Sequence, residues 1–63
     1  MQVLSVLAKH NAQRGVISWL FCQEGDEFVA IRNDGRRFPY SSREAMREGY
    51  SLLRDKYKFV RIK

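Results

Sequence analysis

Arg43, Arg47 and Arg54 stand four and seven residues apart. On a helix, at about 100° per residue, they fall within roughly 40° of one another and form one stripe. Glu44, Glu48 and Asp55 lie about a quarter turn further round, so the two charge signs are separated. A second basic group, Arg32, Arg36 and Arg37, brackets the run Asn33-Asp34-Gly35, and a third, Lys58, Arg61 and Lys63, closes the chain. Guanidinium forks match phosphate oxygens and guanine edges in pairs. Phe38 and Tyr40, beside Arg36 and Arg37, add rings on which bases can stack. The chemistry on offer is therefore anion recognition, with nucleic acid the first expected partner. The expected contact set is Arg32, Arg36, Arg37, Tyr40, Arg43, Arg47, Arg54 and Arg61.

Other chemistry finds little support. Covalent and acid–base catalysis need cooperating groups, and the chain has one histidine, His10, and one cysteine, Cys22. With a turn at Ala12 to Gly15, antiparallel pairing sets His10 nearer Ile17 than Cys22, so no Cys–His dyad is expected. Two such ligands fall short of a zinc set, and "EGDE" lacks the spacing of a calcium loop. No phosphate-cradling glycine motif is present. The expectation is a protein that is not an enzyme, with no metal and no cofactor.

Composition agrees with a small basic domain. Twelve Lys and Arg oppose seven Asp and Glu among 63 residues, a net charge of +5. Apolar residues make up 44% of the chain, enough for a core. The single cysteine cannot form an internal disulfide, which points to a reducing compartment. Met1 to Ala8 has no basic flank before it and no cleavage signal after it, and no apolar run is long enough to span a membrane. A cytoplasmic single domain over residues 1–63, with no membrane partner, is expected.

The elements that must position the arginines read as follows. Val3 to Ala8 suggests a strand and "HNAQRG" a turn. Val16 to Cys22 is the strongest strand signal. Ile17, Trp19 and Phe21 alternate with Val16, Ser18, Leu20 and Cys22, both sets largely apolar, so the strand should be central. Gly25-Asp26 tips the next turn, Phe28 to Arg32 forms a third strand, and Asp34-Gly35 suits a two-residue hairpin turn. The return strand runs to Tyr40, with Pro39 restricting it to an edge. Ser41 to Glu44 fits a capping box with Ser41 as N-cap, opening a helix to about Tyr57. Met46, Tyr50, Leu53 and Tyr57 make its buried stripe, widened by Ala45 and Leu52. Gly49 inside that helix is explained by a close approach to the sheet or by a plain surface defect. Lys58 to Lys63 closes as a strand, parallel to an earlier one or added at an edge.

The order is β-β-β-β-α-β. The fold class is α+β: a small two-layer domain, a mostly antiparallel sheet of four to five short strands with one helix packed on a face. The run "AIRNDGRRFPYSSREA", residues 30–45, resembles the hairpin-then-helix segment of the AP2-like and arm-binding domains of phage-type integrases. That resemblance implies that Arg32, Arg36, Arg37 and Tyr40 occupy sheet positions facing DNA. The strands before Phe28 and after the helix depart from the pattern.

A rival expectation is a protein-interaction or homodimerising module of the small phage or prophage type. Trp19 offers an apolar anchor for a protein partner, and edge strands at Pro39 or Phe59 to Lys63 offer ladders. Trp19 as an ordinary core residue is the plainer reading.

Overall fold

The computed structural model describes all 63 residues. Four strands run consecutively: β1 Gln2–Asn11, β2 Gly15–Glu24, β3 Glu27–Arg32 and β4 Arg37–Tyr40. Helix α1, Arg43–Asp55, follows, and β5, Val60–Arg61, ends the sheet. The sheet order is β4-β3-β2-β1-β5, and every pair is antiparallel. The expected α+β two-layer order is what forms, with β2 central. β5 adds antiparallel to β1 at the far edge. It is a shorter strand than Lys58 to Lys63, whereas β1 and β2 are longer than the apolar runs alone indicate.

The turns explain the register. Asn11 Oδ1 accepts the N–H groups of Gln13 and Arg14, at 2.9 and 3.0 Å, and Gly15 takes φ 77° to start β2. The β3–β4 connection has three residues, not two. Arg32 N–H donates to the Arg36 carbonyl, and Gly35, at φ 93°, donates to the Arg32 carbonyl. This is the turn-plus-left-handed-glycine hairpin, so glycine is needed at its third position. Asn33 pins the turn to β2: its Nδ2 donates to the Val16 carbonyl at 2.9 Å and its Oδ1 accepts from Ser18 N–H.

Ser42, not Ser41, caps the helix. Its hydroxyl accepts the Ala45 N–H at 3.1 Å, and its backbone is extended. With Ser42 as N-cap the N3 position is Ala45 rather than Glu44, so the helix starts on a simple serine cap and not on a capping box. The helix also ends before Tyr57. Lys58 adopts φ 61°, and Phe59 N–H returns to the Leu53 carbonyl at 3.0 Å. That reversal leaves Tyr57 exposed and sends Phe59 against the core in its place. Leu52, expected to widen the stripe, is also exposed.

The helix packs on the sheet face carrying Leu7, Phe21 and Ala30, which are buried with Met46. Tyr50 meets the Phe21 ring edge-on, centroids 5.3 Å apart. Trp19 is partly buried on this same face, tilted against Phe38 at 5.1 Å. A register shift between Val3 and Ser5 bulges β1, which lets both Leu4 and Ser5 reach the helix side. No helix covers the opposite face. Cross-strand pairing sets Val6, Leu20 and Ile31 in one row there, Ala8 beside Val60 in a second, and Val3, Cys22, Val29 and Pro39 in a third. No helix is long and apolar enough to cross a membrane.

Candidate nucleic-acid interface

α1 begins just after β4 at one edge of the sheet and leads to β5 at the other. Beside its first two turns it leaves a cleft of about 280 Å³ above β1 and β5. Buried Phe21 and Met46, with Leu4 and Tyr50, form the apolar lining. Arg43, Arg47 and Arg61, all exposed, line it with Ser5. Arg43 and Arg47 come from successive helical turns, while Arg61 comes from the edge strand. Two contacts hold that corner: Ser5 hydroxyl donates to the Lys63 carbonyl at 2.9 Å, and Arg61 Nε donates to the same carbonyl at 3.2 Å. Arg54 continues the line, its guanidinium carbon 5.9 Å from the centre of the Tyr50 ring.

Electrostatics divides the expected site residues into two groups. Arg43, Arg47, Arg54 and Arg61 have no acidic side chain within ion-pair distance, and Arg61 is held by the Lys63 main-chain oxygen; the three side-chain ion pairs of the chain all involve the hairpin arginines. Arg32 and Arg36 share Asp34, at 3.3 and 3.4 Å. The buried Arg32 Nε has only that charge contact, since the angle is wrong for a hydrogen bond. Arg37 pairs with Glu24. Of these arginines Arg43 opposes the helix dipole, since it occupies the first helical position, where a cation is unfavourable by about 0.3–1 kcal/mol, whereas Arg54 lies in the last turn, where a cation is favoured.

The residues implied by the integrase-type resemblance do not share one face. Arg32 stands opposite Trp19 on the helix side, and Arg37 opposite Ile31 on the uncovered side. Arg36 lies in the turn. Tyr40 is turned under the helix, its hydroxyl against Gly49, and burial raises its pKa from the usual 10.0. A base could not stack on it there.

His10 stands opposite Val16 and Cys22 opposite Val3, roughly 20 Å apart along the hairpin at ~3.3 Å per residue. Cys22 is fully buried, and its thiol is pushed above the usual 9.0, first by burial and then by Glu24, with Arg37 and the chain amine pulling the other way.

Ser5 and Leu4 are cleft residues that sequence reading does not single out. Their signal is the broken alternation of "VLSVL", where a strict strand would send them to opposite faces. Lys9 also joins the helix side, its Nζ donating to the Tyr57 carbonyl at 2.7 Å and lying 5.8 Å from the Phe59 ring centre. Compared with protein-family models, with curated proteins and with solved structures, the chain matches none.

Proposed function

We propose that this chain is a non-catalytic nucleic-acid-binding module whose contact surface is the helix-side cleft and its arginine line, Arg43, Arg47, Arg54 and Arg61. One observation carries this reading. Three arginines from two separate elements line one cleft with no acidic side chain paired to them, whereas each hairpin arginine has an acidic side chain within reach. Like charges gathered this way repel, and a phosphate backbone relieves that repulsion. The apolar lining beneath them, with Tyr50 at its side, suits the face of a base or sugar next to the phosphate. Arg32, Arg36 and Arg37 act at the margin, since an incoming phosphate must compete with Asp34 or Glu24.

The test is a fluorescence-anisotropy titration of labelled mixed-sequence duplex DNA and single-stranded RNA at two salt concentrations. Affinity for at least one should fall as salt rises, and the double variant Arg43→Ala/Arg47→Ala should weaken binding while the far-UV circular dichroism stays unchanged. No binding of either nucleic acid at low salt overturns the proposal.

A further inference from the structure

An antiparallel sheet with one face in water usually alternates apolar residues inward with polar residues outward. This sheet does not. Behind the helix-covered face, the central row of the uncovered face is Val6, Leu20 and Ile31, all on adjacent strands. Ala8 and Val60 extend it towards the β5 edge, where Val60 is 63% exposed. Val6, Ala8, Leu20 and Ile31 are half-buried rather than fully exposed, and an apolar row left open to water with no element over it is a surface that a partner can cover.

Charge identifies which partner fits. The basic groups of α1 and β5 that line the cleft lie on the helix side. On the uncovered face, Arg37 is already paired with Glu24. Its middle therefore attracts neither phosphate nor an acidic peptide. Two copies of a chain carrying +5 can bring these faces together while their arginine clefts point away from each other.

The edges of the sheet are poor alternatives. Arg32 N–H bonds to the Arg36 carbonyl, so alternation makes Phe38 and Tyr40 the hydrogen-bonded positions of β4 and turns the Pro39 nitrogen outward. The free edge of β4 thus lacks a donor where a further strand would need one. β5 is only two residues long.

Size agrees too. Only 6 of 63 residues are buried in the single chain, a thin core for independent stability. The molecule measures 36 and 22 Å along its two longest axes, a footprint on the order of the ~800 Å² that each partner buries in a standard interface. We propose that a second copy of this chain covers the uncovered face, in a twofold sheet-on-sheet homodimer centred on Leu20 that dissociates on dilution.

Sedimentation equilibrium of the whole chain over a wide concentration range tests this. The expected result is a reversible approach to twice the 7.5 kDa chain mass. Leu20→Thr/Ile31→Thr, which places strand-compatible β-branched residues at both positions, should weaken dimerisation by about tenfold or more with the circular dichroism retained. If that variant does not fold, Leu20→Cys in a Cys22→Ser background gives a second readout. A residue near the twofold axis meets its own copy, so mild oxidation should yield a covalent dimer. A monomer at every concentration overturns the proposal. So does a dimer that the Leu20→Cys variant fails to cross-link, which indicates edge pairing, or a mass that grows without limit. A monomer whose exposed face binds an apolar dye also overturns it and assigns the face to a different partner. None of these outcomes depends on nucleic-acid binding.

Discussion

Tyr40 and Gly49 fit together so closely that a Cβ placed on Gly49 would lie 2.5 Å from the Tyr40 hydroxyl and 3.0 Å from its ring carbon. The glycine is thus the close approach of helix to sheet, not a surface defect. Gly49→Ala gains about 1 kcal/mol of helix propensity but overpacks the site at a cost of about 1–3 kcal/mol. A net loss of about 1 kcal/mol is expected in urea unfolding, because the whole Tyr40 ring must move. Tyr40→Phe removes the closest atom. In a double-mutant cycle, Gly49→Ala should be less damaging when combined with Tyr40→Phe, with a coupling of about 0.5–1 kcal/mol. Additive effects would mean that the contact is not what keeps residue 49 small.

The two adjacent serines give a sharper comparison. Ser42→Ala leaves the Ala45 N–H without its acceptor and should cost about 1 kcal/mol. Ser41→Ala, exposed and outside the cap, should change stability by less than ~0.5 kcal/mol. Chemical denaturation of both variants measures the difference, and equal losses would contradict Ser42 as the cap.

Alkaline pH should weaken the fold. Tyr40 and Cys22 are both neutral when protonated, and the fold holds each above its usual pKa, 10.0 and 9.0 respectively, chiefly by burial. The unfolded chain therefore releases these protons first. Stability from this source is complete below pH 9 and is lost as pH rises through the two ionisations in the folded state. Urea midpoints taken from neutral to strongly alkaline pH should fall, and Tyr40→Phe together with Cys22→Ser should flatten the curve. A midpoint that rises with pH would contradict the sign.

Salt dependence can separate the two arginine groups. Removing Arg43, Arg47 or Arg61 singly should lower the salt slope of nucleic-acid affinity by about one each. Arg32→Ala should change it little, because Arg32 is already held by Asp34. Asp34→Asn releases both Arg32 and Arg36 and should strengthen binding, by roughly threefold to tenfold at low salt. Weaker binding by Asp34→Asn despite an unchanged fold would place the hairpin, not the cleft, at the centre of the interface.

The strands were legible because Ile17, Trp19 and Phe21 alternate cleanly, and the helix because Met46, Tyr50 and Leu53 keep one face. What the alternation could not say is which face of β2 the helix covers, since both are apolar. The position of Tyr40 settles it: the chain enters α1 from a strand whose Phe38 and Tyr40 already point to the Phe21 side. Asp34 as a turn residue could be read locally, and its hold on Arg32 and Arg36 follows from that. The Arg37–Glu24 pair could not, because it depends on the register of three strands. The left-handed turn at Lys58, which exchanges Tyr57 for Phe59 in the core, likewise has no glycine or asparagine to announce it.

The returning edge strand carries a consequence for the order in which the molecule assembles. β1 to β4 form by successive hairpins, each closing a short loop, and these can zip within microseconds. β5 instead meets β1 across almost the entire chain: Ile62 N–H reaches the Val6 carbonyl at 2.9 Å, and Val6 N–H reaches the Lys63 carbonyl at 3.0 Å. Such distant closure comes at the highest entropic cost and depends on the helix having docked first. Docking of β5 is therefore expected to be the final folding event, and its release the first step of local opening. The amide of Ile62 should exchange with solvent well before those of β2, which would make the wall of the cleft that carries Arg61 the first part of the molecule to open.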